Sequence, residues 1–200
     1  MLKNQFSNTG LVEAGADEAG RGCLAGPVFA AAVILPVNYY NPMINDSKIL
    51  TASVREKLRK EIERDAIAWC VSSVSAETID EINILQASIR AMHFAIKGLN
   101  VTPELLLIDG NRFHPFPGIN HQCVIKGDSI FMSIAAASIL AKTHRDELMC
   151  KLSADFPEYG WERNKGYPTA EHKRAISKYG ITPWHRKTFH MSEQLSLKLD

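Results

Sequence analysis

The chain has 200 residues, 46% of them hydrophobic and 22% charged, with a formal net charge of +1. That length suits one domain with a sizeable buried core, and the balance is that of a globular protein rather than a disordered one. The near-neutral total excludes the strongly basic makeup of a whole-chain nucleic-acid binder, and no apolar run is long enough to span a bilayer. The first ten residues, MLKNQFSNTG, lack the apolar stretch of a signal peptide.

In chain order, LVEAGAD (11–17) reads as a short strand that ends on Asp17. PVFAAAVILP (27–36) is a second strand, continuously apolar and bounded by prolines. TASVREKLRKEIERDA predicts a helix with Ser53 and Glu56 as a capping box and a solvated outer face. IAWCVSSV (67–74) is a third strand. From Ile82, apolar residues recur at Leu85, Ile89, Met92, Ile96 and Leu99, the stripe of a helix. ELLLIDG (104–110) has no polar alternation and reads as a strand buried on both faces. HQCVIKG is another short strand. Asp128 and Ser129 then open a long helix, SIFMSIAAASILAKTHRDELMCKL, whose small residues suit close packing on a sheet. FPEYGWERNKGYP is a loop, and AEHKRAISKY is a last helix capped by Thr169 and ended by Gly180. The tail can add a short helix. The pattern is α/β with a mixed sheet flanked by helices. About 1–155 would form the α/β core, and about 156–200 a small C-terminal helical lobe.

The four cysteines (23, 70, 123 and 150) have no C-x-x-C spacing, which argues against a zinc or redox motif. Cys23, Cys70 and Cys123 sit in apolar or small-residue runs, as reduced core cysteines do, so a cytoplasmic setting is expected. Between Trp161 and His190 there are seven Lys/Arg against Glu162 and Glu171. That local excess can steer anions or simply form a solvated face.

Asp17, Glu18, Asp109 and Asp128 share one pattern. Each stands at or just beyond a predicted strand end, where α/β sheets place their sites. Any one of them alone is explained by turn or capping chemistry, Asp128 above all. Together they would repel, because like charges raise one another's pKa. Hard divalent cations, Mg2+ or Mn2+, resolve that repulsion. Two such ions roughly 4 Å apart clamp the attacking and leaving oxygens of a phosphoryl displacement. Gly20-Arg21-Gly22 fits neither a dinucleotide fingerprint nor a P-loop. It can bring backbone amides to a sugar or phosphate, or it can be a tight turn.

These stretches resemble one family, the type 2 ribonucleases H and specifically ribonuclease HII. GADEAGRGCLAGPV, NDSKIL, LLLIDGN, KGDSIFMSIAAASILAKTHRDELM and NKGYPTAEHKRAISKYGITPWHRKTF match its five motifs in order. The resemblance implies a ribonuclease H-like fold. It implies cleavage of RNA in RNA–DNA hybrids and incision 5′ to single ribonucleotides in duplex DNA, leaving 3′-hydroxyl and 5′-phosphate ends. It places catalysis and metal binding on Asp17, Glu18, Asp109 and Asp128. Gly20, Arg21 and Gly22 would read the 2′-hydroxyl, and Tyr167 would pack on the next deoxyribose. Lys48, Lys165, Lys173 and Arg186 would hold phosphates; His172 and His185 could join them or serve in capping and packing. Cys23, Thr143, His144 and Thr188 depart from the common pattern and touch none of the four acids. About ten residues precede the first predicted strand, so the N-terminal hybrid-binding domain of the type III relatives is not expected. SEQLSLKLD lacks the paired aromatics of a sliding-clamp peptide, and a monomer is expected. The rival readings are a silent nucleic-acid-binding module of the same fold and a phosphotransferase acting on small molecules. The four acids argue against the first, and the basic, aromatic C-terminal stretch against the second.

Overall fold

The structure, a computed structural model, describes residues 2–8, 10–44, 47 and 50–189. The apolar runs form five strands: β1 (Glu13–Ala19), β2 (Val28–Ile34), β3 (Ala68–Val74), β4 (Leu105–Asp109) and β5 (Asn120–Val124). They make one mixed sheet of order β3-β2-β1-β4-β5. β2 is antiparallel to both β1 and β3, whereas β4 runs parallel to β1 and β5.

Helices cover both faces. Side chains alternate across a strand, so Ala14 and Ala16 of β1 join one core with Ala87, Met92 and Ile96 of α2 (Ala76–Lys97). The opposite face, with Ala31 and Val33, packs on Ala135, Ala136, Ile139 and Leu140 of α3 (Met132–Asp155). Leu58 and Ile62 of α1 (Ala52–Asp65) join the same side. α3 is nearly all small or apolar along its first half, as close packing on a sheet requires. The contact is closest at Gly15: a Cβ there would lie 2.3 Å from Ser133 C and 2.4 Å from Ile134 N.

Three boundaries differ from the sequence expectation. β1 continues two residues past Asp17, so Asp17 and Glu18 lie inside the strand and face opposite sides. The cap of α1 is Thr51, whose hydroxyl accepts from Val54 N; Ser53 lies inside the helix and bonds to Thr51 Oγ1. The apolar stripe of α2 begins after Asn83, which sits at φ 64° and accepts from Leu85 N and Gln86 N as an internal cap. A preceding turn capped by Ser75 extends the element back to Ala76.

After α3 the chain forms a short helix, α4 (Trp161–Asn164), and α5 (Ala170–Tyr179), capped by Thr169 and closed at Gly180 as expected. Leu24, Ala25, Met149, Trp161 and Ile176 bury together, binding this region to α3 and to the turn after β1. The Asp80 carboxylate of α2 accepts from Lys187 N and Thr188 N. Thr188, where the resemblance leads one to expect Ser, adds its hydroxyl to the same oxygen. Thr143 and His144 serve α3 and its junction with α1: Thr143 donates to Ile139 O, and His144 Nε2 lies 2.8 Å from Glu63. The expected tail helix lies outside the described residues. No helix among the described residues is long and apolar enough to cross a membrane.

The contact at Gly15 gives a direct test. Gly15→Ala drives a methyl into backbone atoms of α3 that no side-chain rotation can clear, so it should cost about 3 kcal/mol or more in urea unfolding. A variant as stable as the parent would show that α3 can lift off β1.

Candidate active site

Parallel pairing of β1 with β4, in the register Ala16↔Ile108, brings the acid-bearing strand ends side by side. Asp17 is only 4% exposed. Its Oδ1 accepts from Glu18 N at 2.7 Å, and Ser138 of α3 hydrogen-bonds to the same carboxylate. Ser138 is in turn 2.9 Å from the buried Ser47 hydroxyl. Burial first, then the neighbouring Glu18 and Asp109 charges, push the Asp17 carboxyl well above its ordinary pKa. Asp109 Oδ1 accepts from Gly127 N at 2.7 Å. Asp128 is the next residue. It is buried in a 3-10 turn, Gly127–Ser129, and does not open α3, whose N-cap position is Phe131.

Asp17, Glu18 and Asp109 line one cleft of about 220 Å³ together with Gly20, Arg21, Gly22, Ser47, Ser138, Lys142 and Tyr167. Asp128 is buried and does not line it. Among the described residues no three of these side chains already converge as a finished ligand set. The donors nevertheless fit a hard divalent cation. They are carboxylate oxygens, and they include a buried acid whose charge its neighbours oppose. Arg21 supplies one counter-charge, with Nη1 at 3.1 Å from Glu18 Oε1.

The Gly-Arg-Gly turn is held from beneath by two buried arginines. Gly20 adopts φ 96°, and a Cβ there would meet Arg145 Nε at 2.1 Å, so only glycine fits. Over Gly22 there is open space, which leaves the backbone approachable. Arg145 donates to Pro27 O, Ala25 O and Lys165 O at 2.8–3.0 Å. Arg186 donates to Gly26 O, Arg21 O and Gly20 O at 2.7–3.0 Å.

A family model described as Ribonuclease HII matches residues 14–193. The chain belongs to the ribonuclease HII family. A Ribonuclease HII of Parabacteroides distasonis is 61% identical over 193 residues, 96% of this chain and 97% of the relative. The crystal structure of ribonuclease H2 from Pyrococcus horikoshii OT3 superposes with TM-score 0.74 at 26% identity, over 88% of this chain and 93% of that one. A PCNA:RNase HII complex from Archaeoglobus fulgidus superposes with TM-score 0.76 at 25% identity, over 92% and 98%. The fold is ribonuclease H-like, and the chain is a metal-dependent endoribonuclease.

Seen as a ribonuclease HII, the chain brings together most but not all of the residues expected at its site. Asp17, Glu18, Asp109, Gly20, Arg21, Gly22 and Tyr167 share the cleft. Tyr167 is 37% exposed there, with Lys142 Nζ 5.4 Å above its ring and the Cys23 thiol as hydrogen-bond partner. Arg186 corrects an expectation: at 3% exposure, with each of its three guanidinium nitrogens on a carbonyl, it holds the turn and is not a surface phosphate clamp. Burial lowers its pKa to about 10. Lys165 points away, donating to Cys150 Sγ and Glu162 O. Lys173 is half-buried on α5 and lines neither this cleft nor its neighbour. Lys48 lies outside the described residues. Cys23 is buried as expected, Cys70 and Cys123 are only partly so, and Cys150 is exposed.

Sequence reasoning missed Ser47, Ser138 and Lys142. The signal was present, since Ser138, Lys142 and Asp146 recur every four residues on one face of α3, and Lys142 pairs with Asp146 at 2.6 Å. It also missed the adjoining groove of about 180 Å³, where Asn111 and Arg112 meet Glu18, Arg21 and Asp109.

His172 and His185 are buried and face each other, Nε2 to Nε2 at 3.2 Å, against the stacked rings of Tyr159 and Trp161. Packing, not phosphate contact, is their setting. Burial lowers the His172 pKa; burial and then His172 lower that of His185 to about 4.

Two outcomes follow. Arg186→Met should cost about 3 kcal/mol, because it removes the donors to three carbonyls, two of them buried, yet the salt dependence of substrate binding should stay as in the parent. A shallower salt slope would make Arg186 a phosphate contact after all. The histidines set a pH dependence. The unfolded state takes up a proton near pH 6.5 and the folded state does not, so stability is full above that pH and falls as pH drops toward 4, by about 2 kcal/mol. Thermal melts of His185→Asn between pH 7 and 4.5 should lose that part of the slope; an unchanged slope would assign it elsewhere.

Proposed function

We propose that this chain hydrolyses the RNA strand of RNA–DNA hybrids and incises duplex DNA on the 5′ side of single embedded ribonucleotides, leaving 3′-hydroxyl and 5′-phosphate ends. The observation that carries this reading is one cleft in which three carboxylates, one of them buried, meet a Gly-Arg-Gly backbone and an aromatic ring. Asp17, Glu18, Asp109 and Asp128 would hold two Mg2+ or Mn2+ ions. Such ions supply a lowered water pKa and charge stabilisation at the attacking and leaving oxygens.

The chain's own residues do the rest. The carboxylates bind and orient, while Arg21 moderates the charge that would repel a phosphate. Gly20–Gly22 line the cleft, with open space over Gly22, and this backbone suits a ribose 2′-hydroxyl, the group that marks RNA within a duplex. Tyr167 would rest on the sugar that follows, where an added hydroxyl would clash. Lys142, beside Tyr167 and half neutralised by Asp146, suits a backbone phosphate; Lys48, Lys165 and Lys173 would serve more distant ones. Residues 1–155 act as the catalytic core and 156–200 as the substrate-binding lobe. We read the chain as a monomer of the reducing cytoplasm. The PCNA partner in the Archaeoglobus structure belongs to that protein, and residues 192–200 carry no aromatic for such a contact.

With Mg2+ or Mn2+ supplied, a labelled DNA duplex holding one ribonucleotide should be cut once, 5′ to it, to ends that a DNA polymerase can extend. Asp109→Asn should lose more than about a hundred-fold in rate, the scale of removing one preorganised charge from a reacting centre, while binding the duplex within a few-fold. No incision in the presence of metal, or an Asn variant that cuts normally, would overturn the assignment.

A further inference from the structure

The two buried histidines do more than fill space. Their hydrogen bonds fix every proton. Trp161 Nε1–H, which can only donate, points to His172 Nε2 at 3.0 Å. His172 Nε2 is therefore an acceptor, and the ring carries its proton on Nδ1. Nδ1 lies 2.9 Å from Tyr167 O, a carbonyl that can only accept. On the other ring, His185 Nδ1 accepts from Thr182 N at 2.9 Å, so Nε2 carries the proton and shares with Trp161 the single Nε2 lone pair of His172, at the longer distance of 3.2 Å. The chain of donors runs Thr182 to His185 to His172 to Tyr167 O, with Trp161 joining at His172.

Its end point is the backbone of the ring that faces the carboxylates. Tyr167 O also accepts from Thr169 N at 2.8 Å, and Tyr167 N donates to Asn164 O at 2.9 Å. One residue before, Gly166 O accepts from Leu24 N at 2.8 Å, just beyond the Gly-Arg-Gly turn. Both peptide groups of Tyr167 are thus held, yet only the His172 contact comes from a side chain whose protonation selects it.

We infer that His172, locked as the Nδ1–H tautomer by Trp161 and His185, is a positioning residue that sets Tyr167 for junction recognition. The inference rests on the reading of Tyr167 given under the proposed function. Two substitutions separate it from plain packing. His172→Asn keeps an N–H near Nδ1 and gives up the acceptor for Trp161. His172→Gln keeps an acceptor near Nε2 and gives up the donor to Tyr167 O. The readout is a ratio of kcat/KM values: a DNA duplex with one ribonucleotide over a hybrid with a continuous RNA strand.

His172→Gln should lower that ratio about three- to ten-fold, the worth of one hydrogen bond. His172→Asn should melt at lower temperature and hold the ratio within about two-fold of the parent, since it keeps that bond. If the Asn variant loses the ratio as fully as the Gln variant, or the Gln variant keeps it, His172 merely packs. Tyr167→Ala, measured alongside, tests the underlying reading. If it leaves the ratio unchanged, Tyr167 does not read the junction and the positioning role falls with it. If it lowers the ratio while His172→Gln does not, only the positioning role falls. Should the Gln variant fail to fold, long-range 15N–1H spectra of the histidine-labelled parent decide the matter. A protonated Nδ1 and a bare Nε2 on His172 are expected, and the opposite tautomer overturns the inference.

Discussion

Everything at the centre of this molecule is arranged around carboxylates that repel. Two unit charges 4 Å apart oppose each other by about 4 kcal/mol at an effective dielectric of 20, and Asp17, almost fully buried, feels the charges of both Glu18 and Asp109. Parallel pairing of β1 with β4 imposes the meeting, since both strands end at the same edge. Alternation along β1 turns Asp17 toward α3 and Glu18 toward α2. Gly15 then sets how near α3 can come, and the nearness puts Ser138 on the Asp17 carboxylate. The absence of one side chain in β1 thus decides which hydroxyl supports the acid two residues later.

The same economy appears under the Gly-Arg-Gly turn. Turns that double back over a core bury carbonyls that no ladder can satisfy. Arg145 and Arg186 answer this with planar forks of donors directed at six carbonyl acceptors between them. Segments far apart in sequence, around 20–27, 145, 165 and 186, become one rigid piece. None of these six bonds goes to a carboxylate. Both guanidinium charges therefore remain unneutralised by those bonds, close beneath a cleft that must admit a polyanion past its own acids.

Much of this was open to reading in the amino-acid order. Prolines bounded β2, the unbroken apolar run of Leu105–Ile108 marked a strand buried on both faces, and Thr169 with Gly180 delimited α5. The acids at strand ends were visible because charge after an apolar run needs a reason. What escaped reading has a physical source in each case. Thr51 and Ser53 are both competent caps, and spacing alone preferred the wrong one. Asn83 interrupts α2 because its side chain can cap from a left-handed backbone, a choice that an apolar stripe does not reveal. Arg186 looked like a phosphate contact since a basic residue in a basic stretch suggests solvent. Its true partners are backbone carbonyls, which every residue has and which leave no trace in a sequence.

That blindness to backbone partners matters most where recognition is by shape. A ring that tells deoxyribose from ribose gains its discrimination from contact, and displacements near 1 Å at a reacting centre can cost orders of magnitude. The ring of Tyr167 is partly in solvent, with Cys23, Lys142 and Arg145 against it, and its main chain is held as well. Asn164 holds its N–H; Thr169 and His172 hold its carbonyl; Leu24 holds the residue before it. Leu24 follows directly on the turn that carries Gly20 and Gly22. The aromatic and the Gly-Arg-Gly backbone are thereby referenced to one another through a few peptide bonds rather than across the whole lobe. Because Thr169 caps α5 and His172 lies in its first turn, the same contacts tie the start of that helix to the Gly-Arg-Gly turn, and on the proposed reading they fix the spacing at which successive sugars of one strand would be met.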